Sequence, residues 1–302
     1  MIVQRTIPPL AWALLFLLAF MWGGSFLANR IALEEVGVFT TVAFRVAGAS
    51  VVLWAYVILR GLRVPLTPRS IGTFLVLGLL NNAVPFTLIV WGQQHIASGL
   101  AAILNASTAI FTVLLVALIF SDERLTKHKA VGVTLGFAGV ITAIGIENLT
   151  KLDLRSVSQL ALMGSSLSYA ISAAIGRVYL KGIRPEVSAA GMLTSAALFM
   201  VPMAIWLEGV PTFAYHAATF GALAYLAVIS SAFAYMLYYV VLNLAGAGNL
   251  SLVTLLVAPV AIVLGAVVYG ETLAANAFLG FALLALGLLI IDGRLGTRKK
   301  PR

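Results

Sequence analysis

The chain has 302 residues, of which 62% are hydrophobic and only 10% charged, with no cysteine and a formal net charge of +9. Soluble domains carry roughly 45–50% apolar and about 25% charged residues. A soluble globular fold is therefore excluded, and the missing cysteines exclude disulfides, thiolate catalysis and cysteine-based metal sites. The apolar runs are about 20 residues long, one bilayer thickness in helix. They lack the two-residue alternation of barrel strands, so the fold class is an all-α polytopic membrane protein.

Taken in order, the runs predict ten transmembrane helices at 10–30, 39–59, 70–93, 97–120, 128–147, 157–180, 186–207, 217–242, 247–269 and 274–291. The first, Leu10 to Ala28, is too long for the apolar region of a signal peptide (about 7–15 residues) and reads as a span. Short polar or Gly/Pro breaks separate the runs, such as Arg60 to Pro65 and Glu208 to Pro211. With ten spans, every Lys and Arg except Arg30, Arg45, Lys151 and Arg155 falls on the side of the N-terminus. The positive-inside rule then puts both termini in the cytoplasm, with 292–302 a basic cytoplasmic tail. The net charge records this topology and not a nucleic-acid partner.

The chain is written twice. Ala97 to Leu125 opens on small residues and closes on Glu123-x-Leu125, and Ala245 to Leu273 does the same, closing on Glu271-x-Leu273. From Glu123 to Glu271 is 148 residues, and other landmarks keep nearly that offset. Trp22 answers to Tyr169, Ser25 to Ser172, Arg30 to Arg177, Asn82 to Ser230, Trp91 to Tyr239, Gly132 to Gly280 and Gly139 to Gly287. Five spans per half is an odd number, so the second half must enter the membrane the opposite way up. The expected domains are two five-helix repeats, 10–147 and 157–291.

These paired Glu-x-Leu segments and five-plus-five halves resemble the drug/metabolite transporter (DMT) superfamily with two EamA-type repeats. Within it, the chain looks like the YddG-type bacterial amino-acid exporters. The first copy departs from the pattern in having Phe111 where the second has Pro259. The resemblance covers essentially the whole chain. It implies helices around a central cavity, alternating access, export as the usual direction and residence in the inner (plasma) membrane.

A carrier binds its cargo near the midplane, between the repeats, where each polar side chain is costly unless bonded or wet. Mid-span polar and aromatic residues give the candidate cavity: Trp22 and Ser25, Asn81 and Asn82, Asn105 and Thr108, Tyr169 and Ser172, Ser231, Tyr235 and Tyr238, and Thr254. For a lone Ser or Thr, a bond back to its own helix is the commoner role. The adjacent amides Asn81 and Asn82 are harder to satisfy locally. Pro85, Pro202 and Pro259 lie inside spans and are hinge candidates. Gly132, Gly136 and Gly139 form a small-residue face suited to close packing within the chain or to dimerisation. The sequence does not separate a monomer from a homodimer.

No acid falls mid-span, so a midplane carboxylate relay for protons is not expected. Arg45 is the deepest basic residue and is expected to snorkel outward or pair with Glu34 or Glu35. An aromatic, amide and hydroxyl cavity suits a neutral or zwitterionic cargo with an apolar body. Neutral amino acids, aromatic or hydrophobic and including threonine or methionine, fit this best. A neutral purine, a sugar or a drug-like compound is the alternative. Three scattered histidines without cysteine or a mid-span acid give an enzyme nothing to build on. No cofactor or metal is implied.

Overall fold

The computed structural model describes residues 8–120, 126–145, 154–245, 250 and 253–291. The first Glu-x-Leu (Glu123 and Leu125) and the tail 292–302 lie outside them. The described residues are almost all helix. We label the rods α1 Pro9–Ala32, α2 Val38–Leu59, α3 Pro68–Gly92, α4 Ser98–Ile119, α5 Lys127–Ile144, α6 Leu154–Tyr179, α7 Pro185–Glu208, α8 Ala217–Ala245, α9 Val253–Tyr269 and α10 Ala275–Ile291. Six of them, α1 to α4 with α7 and α8, are long and apolar enough to cross a membrane; α9 and α10 are shorter apolar helices.

Local chemistry sets the ends. Pro9, Pro68 and Pro185 open α1, α3 and α7, where a missing N–H costs nothing. The hydroxyls of Thr67 and Thr126 accept the Ser70 and Lys129 N–H groups as N-caps. Gly145 and Gly209 end α5 and α7 with φ 84°, in the left-handed region that a side chain disfavours.

Rods from the first half pack on rods from the second. The pairings include α5 on α10, α2 on α7, α3 on α6 and α7, α4 on α6, and α1 on α8 and α9. The α5–α10 contact is helix backbone against helix backbone. A Cβ placed on Gly139 would lie 2.6 Å from the Gly280 carbonyl, and one on Gly287 would lie 2.5 Å from that of Gly132. The small-residue face is thus used inside the chain.

The interior holds two large buried clusters and a smaller third, of Ala28, Ala32, Val36, Ala222, Leu223 and Leu226, where α1 meets α8. One large cluster is built on α1, α4 and α9 and includes Leu15, Leu104 and Val257; the other is built on α2, α3 and α7 and includes Val46, Leu77 and Leu193. Tyr169 of α6 touches both, and α8 gives Tyr238 to the first and Tyr235 to the second. The seam between the cores therefore runs along α6 and α8. Outward faces carry bare apolar side chains such as Phe16, Ile58, Leu118, Leu198, Trp206 and Val267. On a soluble monomer such coverage would be a binding patch; here it is the surface that lipid covers.

Candidate functional site

Two irregularities position the site. Within α3, residues Leu79–Ala83 form a π-helical segment, and within α8 so do Tyr225–Phe233. Adding the 148-residue offset to 79–83 gives 227–231, inside the second segment. In a π turn the carbonyl of residue i bonds the N–H of i+5. For Leu80 that residue is Pro85, which has no N–H. The Ser168 hydroxyl of α6 takes the vacant carbonyl at 2.7 Å. Pro202 and Pro259, by contrast, lie within continuous helices.

The widened turn of α3 presents both amides to the seam. Asn81 donates through Nδ2 to the Tyr235 hydroxyl (2.8 Å), and that hydroxyl donates to Asn82 Oδ1 (2.9 Å). Ser172 of α6 donates to Asn81 Oδ1 at 3.2 Å. Four expected residues, Asn81, Asn82, Ser172 and Tyr235, thus form one bonded network joining α3, α6 and α8. Asn82 is fully buried, and its Nδ2 has no acceptor. Further along α8, Tyr238 meets the ring of Trp22 from α1 at 5.9 Å and that of Tyr239 at 5.2 Å. This aromatic wall adjoins the network, because Tyr235 and Tyr238 are one turn apart. Tyr169 stands half-buried on the seam.

Other expected residues are used differently. Ser25 and Thr108 donate to carbonyls of their own helices, at Trp22 (2.6 Å) and Asn105 (2.7 Å). Asn105 is half-buried with Oδ1 unpartnered, and its carbonyl also accepts from Ser166 of α6. No bond joins Asn105 to the amide network. Thr254 is half-buried on α9.

The reading of Arg45 is corrected. It neither snorkels outward nor meets Glu34 or Glu35. It is 5% exposed, donates through Nε to Ser231 Oγ at 3.0 Å, and lies over the Phe86 ring with Cζ 3.8 Å from the centroid. The side chain is long enough to go either way, and the helix face decides: Arg45 is on the face of α2 that packs against α8. The seam is therefore not lined by uncharged groups alone.

Sequence reasoning also missed a polar layer at one end of the bundle. Gln93 is buried there, accepting from Asn29 Nδ2 and donating to the Phe26 carbonyl (both 2.9 Å), while Arg30 donates to the Gln93 carbonyl (3.1 Å). Among the described residues, three carboxylates cap the N-termini of helices distant in sequence, where the free N–H groups and dipole favour negative charge. Glu271 accepts from Ser98 N (2.9 Å) and Oγ (3.1 Å) at the start of α4, and Glu208 accepts from Phe39 N and Thr40 N (2.9 and 2.8 Å) at the start of α2. Glu35 accepts from His216 and Thr219 at the start of α8. Those bonds, that of the Thr219 hydroxyl first, hold the Glu35 carboxyl below its ordinary value. The second Glu-x-Leu thus has a structural meaning: Glu271 caps α4 while Leu273 packs over Gly99.

A helical bundle with a lipid-facing surface and a polar, aromatic seam inside belongs to the membrane carriers. The EamA-like transporter family model matches residues 10–145 and 157–292, and the chain belongs to that family, within the DMT superfamily, with two EamA repeats. It is a membrane transporter. An "Uncharacterized transporter" of Archaeoglobus fulgidus is 25% identical over 93% of this chain and 98% of its own. The "Uncharacterized inner membrane transporter YedA" of Escherichia coli K12 is 28% identical over 95% and 92%. A Streptantibioticus cattleyicolor protein named "Probable terminal-alkyne amino-acid exporter" is 29% identical over 96% and 95%. A solved crystal structure covering 93% of this chain and 96% of its own superposes with a TM-score of 0.66 at 17% identity, a likeness of fold alone.

Proposed function

We propose that the protein exports neutral amino acids, aromatic or hydrophobic and including threonine or methionine, together with related small metabolites, by alternating access. The observation that carries this reading is the Asn81–Tyr235–Asn82 network with Ser172, flanked by the Trp22–Tyr238–Tyr239 wall. Amide and hydroxyl groups suit the polar ends of an amino acid, and rings suit its body. The relative named as an amino-acid exporter supports the cargo class.

In this reading all ten rods cross the membrane as two inverted five-helix repeats, 10–147 and 157–291, around a central cavity. Both termini face the cytoplasm. Trp22, Asn81, Asn82, Tyr169, Ser172, Ser231, Tyr235 and Tyr238 contact cargo, with Ser25, Asn105, Thr108 and Thr254 at its margins. The Gln93 layer and the three carboxylate caps then close the extracellular side, so this conformation faces inward. Pro85, Pro202 and Pro259 are the points at which the rods bend.

The test is efflux from proteoliposomes preloaded with single labelled compounds: phenylalanine, methionine, threonine, glutamate, lysine, adenine and a hexose. Faster loss of the neutral amino acids than of the others is expected. Movement of adenine or hexose alone would overturn the cargo class.

A further inference from the structure

Arg45 has a charge that the protein leaves unmatched. It lies inside the bundle, and no carboxylate of the described residues is within ion-pair distance of it. A buried guanidinium without a counter-ion is a standing cost, relieved when an anion arrives. Phe86 covers one face of the group and Ser231 takes Nε. The two Nη nitrogens carry no hydrogen bond, and neither is sealed in packed protein. What remains open is the end-on pair of N–H groups, the fork that meets both oxygens of a carboxylate.

This fork stands beside the amide network. Phe86 is one turn beyond Asn82 on α3, and Ser231 is one turn before Tyr235 on α8. Asn82 and Tyr235 bond each other, so the guanidinium occupies the neighbouring rung between the same two helices. It is within electrostatic reach of the Tyr169 and Tyr235 hydroxyls. A reachable, unpaired guanidinium fork calls for a ligand that brings paired acceptors and one negative charge. A purine or hexose brings no charge, and a phosphorylated cargo wants several cations. Arg30, the next cation along α1, is already committed to the Gln93 carbonyl.

We propose that Arg45 is the carboxylate-binding residue of the transport site and that the cargo must carry a free carboxylate. This rests on the transport reading above and narrows it. An amino acid would place its carboxylate on Arg45 and its side chain along the Trp22–Tyr238 wall.

The test is binding to the purified full-length protein, read by thermal shift and equilibrium displacement. The probes are phenylalanine, methionine and threonine, the amide of each, and 3-phenylpropionate. The wild type should bind the free acids at least tenfold more tightly than their amides, with 3-phenylpropionate grouped with the acids. Arg45→Gln should lose at least tenfold in affinity for the acids and bring acid and amide within about twofold, whereas Arg45→Lys should keep part of the preference. Equal binding of acid and amide by the wild type, or binding of none of the acids, overturns the proposal. So does an unchanged preference in Arg45→Gln. If Arg45→Gln fails to fold, the wild-type acid/amide ratio still decides, and Ser231→Ala, which frees Nε and keeps the charge, should retain that ratio. Acid binding without flux in proteoliposomes would overturn the transport reading and leave Arg45 assigned; flux without acid preference would do the reverse.

Discussion

The Tyr235 hydroxyl both accepts from Asn81 and donates to Asn82, so its removal leaves two amides short at once. An unsatisfied buried polar group costs about 1–3 kcal/mol. Tyr235→Phe should lower stability by an amount in that range and weaken cargo binding about tenfold. Ser25→Ala, which deletes only a bond to the helix's own carbonyl, should cost under about 1 kcal/mol. Thermal unfolding in detergent and substrate titration of the two variants check the contrast. Glu35 carries a pH prediction. Its carboxyl is held below the ordinary value of 4.5, so its stabilising contribution is complete above that value and is lost as pH falls through the lowered one. The difference in unfolding temperature between wild type and Glu35→Gln should be flat at neutral pH and shrink in acid. The amides and tyrosines were legible in the sequence because polarity at mid-span is expensive and must have a reason. Arg45 was not, because depth along a span does not say which face of the helix a residue occupies. The separation of Ser172 from Ser25 and Thr108 was equally hidden: a hydroxyl bonded to its own helix and one bonded across the seam look alike in sequence.

Among the elements, the rods followed the apolar runs within a few residues, since run length and cap chemistry are local. The span expected at 10–30 is Pro9–Ala32, and that expected at 70–93 is Pro68–Gly92. The π segments were not foreseen, although their cause lies in the sequence: Pro85 removes the N–H that Leu80 would use, and Ser168 replaces it from another helix. Only the fold brings Ser168 there. Pro85→Ala restores the donor, which should tighten the turn, release Ser168 and slow transport several-fold with little loss of stability. Proteoliposome flux beside thermal unfolding would show it, and unchanged flux would remove Pro85 from the moving parts. The α5–α10 pair makes a different prediction. A Cβ on Gly139 meets backbone that cannot swing aside, so Gly139→Val should cost about 1–3 kcal/mol or more by overpacking. Gly72→Val, where nothing lies within 4 Å, should be close to neutral beyond its change in helix propensity.

At the scale of the molecule, alternating access requires that whatever closes one side be breakable. In the inward-facing reading proposed above, the closed end holds a small buried cluster of Ala28, Ala32, Val36, Ala222, Leu223 and Leu226 and, beside it, carboxylates on helix N-termini between rods that would have to part. Glu271 joins α9 to α4, Glu208 joins α7 to α2, and Glu35 joins α1 to α8. Caps such as those of Glu208 and Glu271 contribute about 0.3–1 kcal/mol each at exposed sites and up to about 2 in favourable, partly buried ones. Their sum is of the order that separates two populated conformations, a few kcal/mol. Removing one should therefore shift the population and leave the fold standing. The chain's lack of cysteine makes the shift measurable, since a single Thr108→Cys on α4 becomes the sole thiol. Labelling of that thiol from outside by an impermeant reagent should be slow in the otherwise native chain and rise several-fold when Glu271→Gln is added. Glu271→Gln should also raise the fraction that opens outward without cargo, so that binding from inside weakens as binding from outside strengthens. Labelling that is fast without Glu271→Gln would mean that the capped end faces the cytoplasm. Labelling that stays slow with it would mean that the caps hold the helices in register and do not gate the path.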